Sequence, residues 1–220
     1  APEAPSSWAQ VAAGHVNDWR LKYASLLESD QVPIRPERLC AELTDLVPDE
    51  GIVVVDTGHA GMWMGGMFDI TASTQSYLRS AGHLGWAFPA SLGAKCAQPD
   101  RPVICFTGDS GFWYHVAEIE TAVRWGINSI TVVNNNHSGN QSKRGFDRVY
   151  GGKQTKKALE MWVFTEVDFA ALAEHIGALG IRVEKPADLA PAFDRALSAD
   201  RPVVLDVVTD IDALAPAAVE

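Results

Sequence analysis

The apolar positions of the chain follow two alternating patterns. Short runs rich in Val and Ile, bounded by Gly, Pro or polar residues, predict strands that are buried on both faces. These runs cover 52–56, 103–107, 129–134, 180–183 and 203–208, and residues 77–78 suggest a short sixth strand. Strands of this composition are typical of a parallel sheet.

Between the predicted strands, apolar residues recur at spacings of three and four, which predicts helices. These helices cover 59–70, 88–98, 112–126, 168–178 and 188–198. Strands that alternate with helices indicate an α/β fold. We expect a doubly wound, mostly parallel six-stranded sheet with helices on both of its faces.

Two further helices are predicted before the first strand. Apolar residues from Trp8 to Leu27 recur near helical spacing, and Pro36 is well placed to begin a helix that ends near Pro48. We therefore expect a tail and a lead-in helix over 1–30, followed by one α/β domain over 31–220.

Composition and charge narrow the choice of partners and compartment. Lys and Arg number 18 and Asp and Glu 28, a net charge of −10, which argues against binding to nucleic acid or to an anionic membrane surface. Cys40, Cys96 and Cys105 are widely spaced, which suggests neither a disulfide framework nor a zinc site. No apolar run approaches the roughly 20 residues of a membrane span, and the opening residues do not resemble an export signal. We expect a soluble, cytoplasmic protein.

Ligands of doubly wound sheets bind beyond the carboxyl ends of the strands, so the residues that follow each strand are the candidates. Gly108-Asp109-Ser110-Gly111 follows the strand at 103–107 and leads into a helix. Its small residues allow backbone N–H groups to approach a phosphate, and a carboxylate beside a phosphate requires a divalent cation such as Mg²⁺. Taken alone, this motif is better explained by a tight strand-to-helix turn in which Asp109 caps the helix.

The next strand ends in three carboxamides, Asn134-Asn135-Asn136, and Asn136 lies 27 positions after Asp109. This pairing and interval resemble the signature of thiamine diphosphate-dependent enzymes. The resemblance implies that Asp109, the amide oxygen of Asn136 and the backbone carbonyl oxygen of Ser138 bind Mg²⁺, with diphosphate oxygens and water as the remaining ligands. It also implies that 31–220 is the diphosphate-binding domain of such an enzyme.

Two upstream segments extend the resemblance to acetolactate synthase-like and benzoylformate decarboxylase-like members. The segment 55–63 is similar to a loop that contacts the diphosphate, which implicates Thr57, Gly58 and His59, although Ala60 replaces a residue that is commonly polar. The segment 82–90 is similar to the one that carries a large aliphatic residue, here Leu84, which bends the cofactor. The resemblance further implies cofactor contacts for Gly82, Gly108, Ser110, Gly111 and Gly139. Among the histidines, His83 is the preferred acid or base on the substrate side.

The resemblance covers about 10–212 but does not include the pyrimidine-binding domain that completes each site in this family. That domain bears the glutamate that activates the cofactor, and no glutamate of this chain is a credible substitute. We therefore expect the diphosphate-binding subunit or domain of a heteromeric thiamine diphosphate enzyme. Its partner chain would supply the glutamate, and the complex would decarboxylate or carboligate a 2-oxo acid.

Three alternatives remain open. A subunit resembling 2-hydroxyacyl-CoA lyase or oxalyl-CoA decarboxylase is favoured by Gly108-Asp109-Ser110 and by the basic segment 143–157, which could meet an acyl-CoA substrate. That segment belongs to a polar stretch, 138–157, that is either a solvated loop or a lid, with the solvated loop preferred. The chain could also be a non-catalytic subunit that retains the fold, or a nucleotide-binding domain without thiamine.

Overall fold

A six-stranded sheet forms the centre of the protein, whose computed structural model describes residues 6–216. The strands lie in the order β2-β1-β3-β4-β6-β5, and every neighbouring pair is parallel. Their bounds are β1 Ile52–Val55, β2 Ser76–Arg79, β3 Val103–Gly108, β4 Ile130–Asn135, β5 Leu179–Val183 and β6 Val203–Val208. The predicted α/β fold with a doubly wound sheet is confirmed, and the sheet is parallel throughout.

Helices connect the strands and cover both faces of the sheet. They are α1 Ser7–Leu27, α2 Pro36–Leu46, α3 His59–Met67, α4 Ala87–Ala97, α5 Asp109–His115, α6 Glu118–Trp125, α7 Lys143–Tyr150, α8 Lys156–Leu159, α9 Phe169–Ile176 and α10 Leu189–Leu197. Short 3₁₀ turns lie at Asn140–Ser142 and Pro186–Asp188.

Alternate residues of each central strand enter two different apolar clusters. In β1, Val53 and Val55 pack into the cluster that contains Trp63 of α3, whereas Ile52 and Val54 pack into the opposite one. Burying both faces of a strand favours the continuous runs of apolar residues on which the strand predictions rest.

The single helix predicted over 112–126 is wrong in its extent, because the structure has two helices there. Helix α5 already begins at Asp109, and α6 begins at Glu118. Between them, i→i+3 hydrogen bonds join Ile119 N–H to Val116 O at 3.2 Å and Glu120 N–H to Ala117 O at 3.1 Å. This tighter turn interrupts the helix although apolar residues recur at helical spacing on both sides of it. Asp109 lies in the first turn of α5.

Helix α1 lies where the lead-in helix is predicted, yet none of its residues is fully buried. Trp8 and Leu21 are 77% and 75% exposed, so its apolar positions do not all face the domain. The indole N–H of Trp19 and the guanidinium of Arg20 both donate to the Gly66 carbonyl oxygen at 2.8 Å. The division into 1–30 and 31–220 stays a prediction. Across residues 6–216, the helices are too short or too polar to cross a membrane.

Candidate functional site

A cavity of about 150 Å³ lies at the carboxyl ends of β1, β3 and β4. Most residues singled out from the sequence line it: Thr57, Gly58, His59, Leu84, Gly108, Asp109, Ser110, Gly111, Asn136, Ser138 and Gly139. The cavity is hereafter called the strand-end pocket. Cavities of about 470 and 630 Å³ lie elsewhere and contain none of these residues, so volume alone would not have located the site.

Asp109 is the only charged side chain among the lining residues of the strand-end pocket that the structure describes. It is 3% exposed, and its two carboxylate oxygens accept from the backbone N–H groups of Ser110 and Ser138, both at 2.8 Å. Burial raises the pKa of Asp109 to about 7, the two backbone hydrogen bonds oppose that rise, and the nearby Asp206 carboxylate adds to it. A bound cation would stabilise the ionised form.

Asn136 and Ser138 meet beside Asp109. The Ser138 hydroxyl donates to the Asn136 amide oxygen at 2.9 Å, and the Ser110 hydroxyl donates to the Ser138 carbonyl oxygen at 3.2 Å. A carboxylate, an amide oxygen and a backbone carbonyl oxygen thus converge within one hydrogen-bonded cluster. Hard oxygen donors of this kind suit Mg²⁺ or Ca²⁺ rather than zinc. Within residues 6–216, no group of three or more His, Cys, Asp or Glu side chains is placed to hold a metal.

The loop after β1 packs against the loop after β4. Gly58 has a left-handed φ of +70°, and a Cβ there would lie 2.9 Å from Oε1 of Gln141. A side chain at position 58 would therefore be strained by the left-handed backbone and would displace the end of the Gln141 side chain. Asn140, Gln141 and Ser142 complete the lining on this side.

Comparison with known proteins then decides the family. The family model described as "Thiamine pyrophosphate enzyme, C-terminal TPP binding domain" matches residues 56–207. The chain belongs to this family. Thiamine pyrophosphate is another name for thiamine diphosphate.

Individual relatives agree with this assignment. The chain is 30% identical to a "Probable acetolactate synthase large subunit" from Methanococcus aeolicus, over 89% of this chain and 33% of the relative. It is 32% identical to a "Probable acetolactate synthase" from Mycobacterium bovis, over 86% of this chain and 34% of the relative. A solved 4-hydroxybenzoylformate decarboxylase from Rhodococcus jostii, described as thiamine diphosphate-dependent, superposes with a TM-score of 0.71 at 30% identity, covering 84% of this chain and 34% of that one.

The chain spans about one third of the length of the curated relatives that it matches. The matched part is the C-terminal, thiamine diphosphate-binding domain of acetolactate synthase-like and decarboxylase-like enzymes. The predicted resemblance to the diphosphate-binding domain of thiamine diphosphate-dependent enzymes is therefore confirmed.

In this thiamine diphosphate-binding domain, His59 is half-buried in the strand-end pocket. The pKa of His59 is lowered to about 4, mainly because the ring is buried and to a lesser extent because of the positive charge of Arg144. Its Nδ1 is buried and has no hydrogen-bond partner within the described part of the chain. At neutral pH His59 is therefore a neutral imidazole that can serve a ligand through a hydrogen bond, not through a charge.

This environment predicts the pH response of His59. Its pKa in the folded protein is lower than the ordinary value near 6.5, so the folded state disfavours the protonated ring. Above about pH 6.5 the ring is neutral in both the folded and the unfolded chain, and the free energy of unfolding is at its full value. As the pH falls from about 6.5 towards 4, the unfolded chain takes up a proton that folded His59 does not, so we expect the free energy of unfolding to decrease. NMR titration of the ring should give a midpoint near 4. His59→Gln should remove that component of the pH dependence of unfolding, and a midpoint near 6.5 would contradict the assignment.

Asp56 ties together the segments that carry the pocket, a role that the sequence did not reveal. Its carboxylate accepts from Thr57 N–H at 2.8 Å, from Gly85 N–H at 3.0 Å and from the Thr107 hydroxyl at 2.9 Å. A Cβ at Gly111 would lie 2.5 Å from its Oδ2, so the start of α5 also packs directly on this carboxylate. Asp56 thus links the loops after β1 and β2 to the end of β3.

The segment 82–86 contributes to the strand-end pocket only through Leu84. Gly82 lies beside it, and its N–H donates to the Thr57 hydroxyl at 3.1 Å. His83 is exposed and is absent from the lining of the pocket. The suggested roles of Gly82 in cofactor binding and of His83 as an acid or base stay predictions.

The polar stretch 138–157, which the sequence suggests is a solvated loop or a lid, consists largely of short helices. It contains a 3₁₀ turn and α7, and α8 begins within it. The Asn140 amide donates to the carbonyl oxygens of Ile211 and Ala213 at 2.9 and 2.8 Å, and Lys143 forms an ion pair with Asp212. Its first residues therefore join the pocket to the C-terminal segment. Helix α7 itself has no buried residue, in agreement with a solvated face.

Proposed function

We propose that the strand-end pocket binds the diphosphate of thiamine diphosphate through a Mg²⁺ ion held by Asp109, the Asn136 amide oxygen and the Ser138 carbonyl oxygen. The observation that carries the proposal is the charge of the lining. It holds hydroxyls, carboxamides and glycines, no Lys or Arg among its described residues, and one buried carboxylate. The ionised Asp109 carboxylate would repel a diphosphate unless a divalent cation lies between the two anions.

The remaining lining residues have roles that follow from their positions. Thr57, Gly58 and His59 face the pocket from the end of β1, where a hydroxyl, a backbone and a neutral imidazole can hydrogen-bond phosphate oxygens. Gly108, Ser110 and Gly111 flank Asp109 at the start of α5, and Gly139 follows Ser138. When bound, thiamine diphosphate supplies the carbon nucleophile for the reaction, while these residues anchor and orient its diphosphate end.

We infer further that the chain acts with a pyrimidine-binding domain on a partner chain, which supplies the activating glutamate. The complex would decarboxylate or carboligate a 2-oxo acid in the cytoplasm. The names of the relatives, acetolactate synthase and 4-hydroxybenzoylformate decarboxylase, support this reaction class. The free cysteines, of which Cys40 and Cys105 are buried, support a reducing compartment.

Calorimetric titration tests the cofactor proposal. Thiamine diphosphate should bind the full chain in the presence of Mg²⁺, and binding should be lost when the metal is removed with a chelator. Equal affinity with and without the metal would exclude the proposed cation bridge. Native mass spectrometry of the chain isolated from its source tests the partner. A second polypeptide together with the mass of the cofactor is expected, and a bare chain or homo-oligomer would count against the heteromer.

Leu84→Ala distinguishes the two ends of the cofactor. Leu84 is a partly exposed apolar side chain in a lining that is otherwise mainly polar, so it can contact the organic part of the ligand but adds no donor for phosphate. We expect the affinity for thiamine diphosphate to fall roughly tenfold, the loss of one buried aliphatic contact, and the affinity for Mg²⁺-pyrophosphate to stay unchanged. Equal losses for both ligands would show that Leu84 shapes the phosphate site instead.

A subunit acting on an acyl-CoA remains the second candidate. Lys153, Lys156 and Lys157 are exposed and could meet the phosphates of CoA, whereas Lys143 and Arg144 are already bonded to the C-terminal segment. Protection of the 143–157 segment from proteolysis by CoA would support this candidate, and unchanged cleavage would exclude it.

A further inference from the structure

A buried polar cluster lies beside the carboxyl end of β4 but does not line the strand-end pocket. Asp206 of β6 is 0% exposed, and its Oδ1 accepts from the Asn135 amide at 2.8 Å. Its Oδ2 accepts from Arg182 at 2.8 Å and from Phe169 N–H at 3.0 Å. The Asn135 amide also donates to the Val167 carbonyl oxygen at 3.0 Å. Asn135 is thus held in one orientation by two acceptors.

The same carboxamide reaches the turn that follows β4. The Asn135 amide oxygen accepts from His137 N–H at 3.3 Å. His137 has a φ of +55°, a left-handed conformation that a residue with a Cβ seldom adopts unless its surroundings hold it there. Its carbonyl oxygen accepts from Phe164 N–H at 2.7 Å. The left-handed conformation of His137 is therefore held by two hydrogen bonds, one from its N–H to Asn135 and one to its carbonyl oxygen from Phe164.

His137 separates two of the proposed cation ligands, Asn136 and Ser138. Asn134 and Asn136 line the pocket, whereas Asn135 between them bonds to Asp206 in the buried cluster, as expected of side chains that alternate along a strand and its end. The left-handed residue between the two ligands returns the chain towards Asp109, where Ser138 N–H donates to the carboxylate at 2.8 Å. A change in the orientation of Asn135 would move the turn, and with it both ligands.

We propose that Asp206 and Asn135 are positioning residues for the cation site. The Asp206 carboxylate orients the Asn135 amide, Asn135 holds the left-handed turn at His137, and the turn sets the Asn136 amide oxygen and the Ser138 carbonyl oxygen against Asp109. The proposal rests on the proposed function for the identity of the bound cation, but the link from Asp206 to the turn stands on the hydrogen bonds alone.

Asn135→Asp and Asp206→Asn, singly and together, test this link in the full chain. Asn135→Asp sets two carboxylates against each other and removes the donor to Asp206. We expect hydrogen exchange of the Ser138 amide to quicken at least tenfold, and the Mg²⁺ concentration that half-saturates thiamine diphosphate binding to rise about tenfold. In the double variant, the amide at position 206 can donate to the carboxylate at position 135 at unchanged total charge, so both quantities should recover in part.

Asn128→Asp is the matched control, since Asn128 precedes the same strand at its opposite end and donates to the Asp200 carbonyl oxygen at 2.8 Å. It should lower the unfolding midpoint in urea without changing either readout. If Asn135→Asp fails to fold, Asp206→Asn gives the same test more mildly, because it loses one acceptor and leaves Asn135 in place. The proposal is overturned if exchange at Ser138 in these variants changes no more than in the control, or if the double variant shows no recovery.

The two proposals fail in different ways. If the unaltered chain shows no Mg²⁺-dependent binding while exchange at Ser138 still responds to Asn135→Asp and recovers in the double variant, the cation assignment fails and the positioning role stands. If binding occurs but neither readout separates these variants from Asn128→Asp, the positioning role fails and the cofactor assignment stands.

Discussion

Asp109→Asn is expected to weaken Mg²⁺-dependent binding of thiamine diphosphate by more than about 100-fold. Loss of a residue that only hydrogen-bonds to a metal ligand already lowers metal affinity by about 10- to 100-fold, and Asp109 is a proposed ligand itself. Asp109 is the one charged side chain in the described lining of the strand-end pocket, and both of its oxygens lie within a cluster of backbone donors. An amide of the same shape provides one neutral oxygen where Mg²⁺ prefers a carboxylate. Calorimetry at fixed Mg²⁺ measures the loss directly.

A measurement of the stability of Asp109→Asn distinguishes a loss of cofactor binding from a loss of folding. Asp109 is buried, and the described lining of the pocket has no Lys or Arg beside it, so a neutral amide relieves the cost of burying the charge while keeping an acceptor for Ser110 or Ser138. We expect the free energy of unfolding of Asp109→Asn without ligand to equal or exceed that of the unaltered chain. Asp194→Asn, at an exposed site on α10, is the matched control and should leave binding intact. Tight Mg²⁺-dependent binding by Asp109→Asn would remove Asp109 from the metal site.

Asp56→Ala is expected to lower the free energy of unfolding by about 3 kcal/mol and to weaken cofactor binding as well. The substitution leaves the N–H groups of Thr57 and Gly85 without their acceptor, and it leaves the Thr107 hydroxyl with only the Gly108 carbonyl oxygen at 3.1 Å. It also leaves a void at Gly111, where the carboxylate packs against the backbone. Urea unfolding and calorimetry provide the two measurements.

Thr107→Val serves as the graded control for Asp56→Ala. It removes only the Thr107 hydroxyl, whose acceptors are Asp56 at 2.9 Å and the Gly108 carbonyl oxygen at 3.1 Å, so we expect a loss of about 1 kcal/mol and little change in binding. If Asp56→Ala unfolds at the same urea concentration as Thr107→Val, Asp56 does not hold the loops of the site together. A full loss of binding with unchanged stability would point instead to direct contact with the ligand.

The strands could be predicted because a strand that is buried on both faces has a continuous run of apolar residues in the sequence. Every residue of β1 is buried, and the sequence from Ile52 to Val55 is accordingly apolar throughout. The 27-residue interval between Asp109 and Asn136 is equally local in origin. It spans the crossover at 109–129, which contains α5 and α6, and then the whole of β4, which lies beside β3 in the sheet. Spacing along the chain could therefore indicate that these two residues meet.

Other features depend on contacts between distant parts of the chain. Asn140 lines the pocket and donates to carbonyl oxygens 71 and 73 residues further along, and nothing near it in the sequence indicates this. Asp56 could have been taken for an ordinary polar residue at the end of a strand, because its donors at Gly85 and Thr107 come from other segments. The break between α5 and α6 was missed because apolar spacing continues across it. Hydrophobic periodicity reports burial, not the path of the backbone.

Anomalous diffraction from crystals grown with thiamine diphosphate and Mn²⁺ in place of Mg²⁺ would locate the bound cation and identify its ligands. We expect one manganese peak in the strand-end pocket, within about 2.5 Å of a carboxylate oxygen of Asp109, the Asn136 amide oxygen and the Ser138 carbonyl oxygen, and next to two diphosphate oxygens. A cofactor bound there without a metal, or a metal bound away from Asp109, would contradict this expectation.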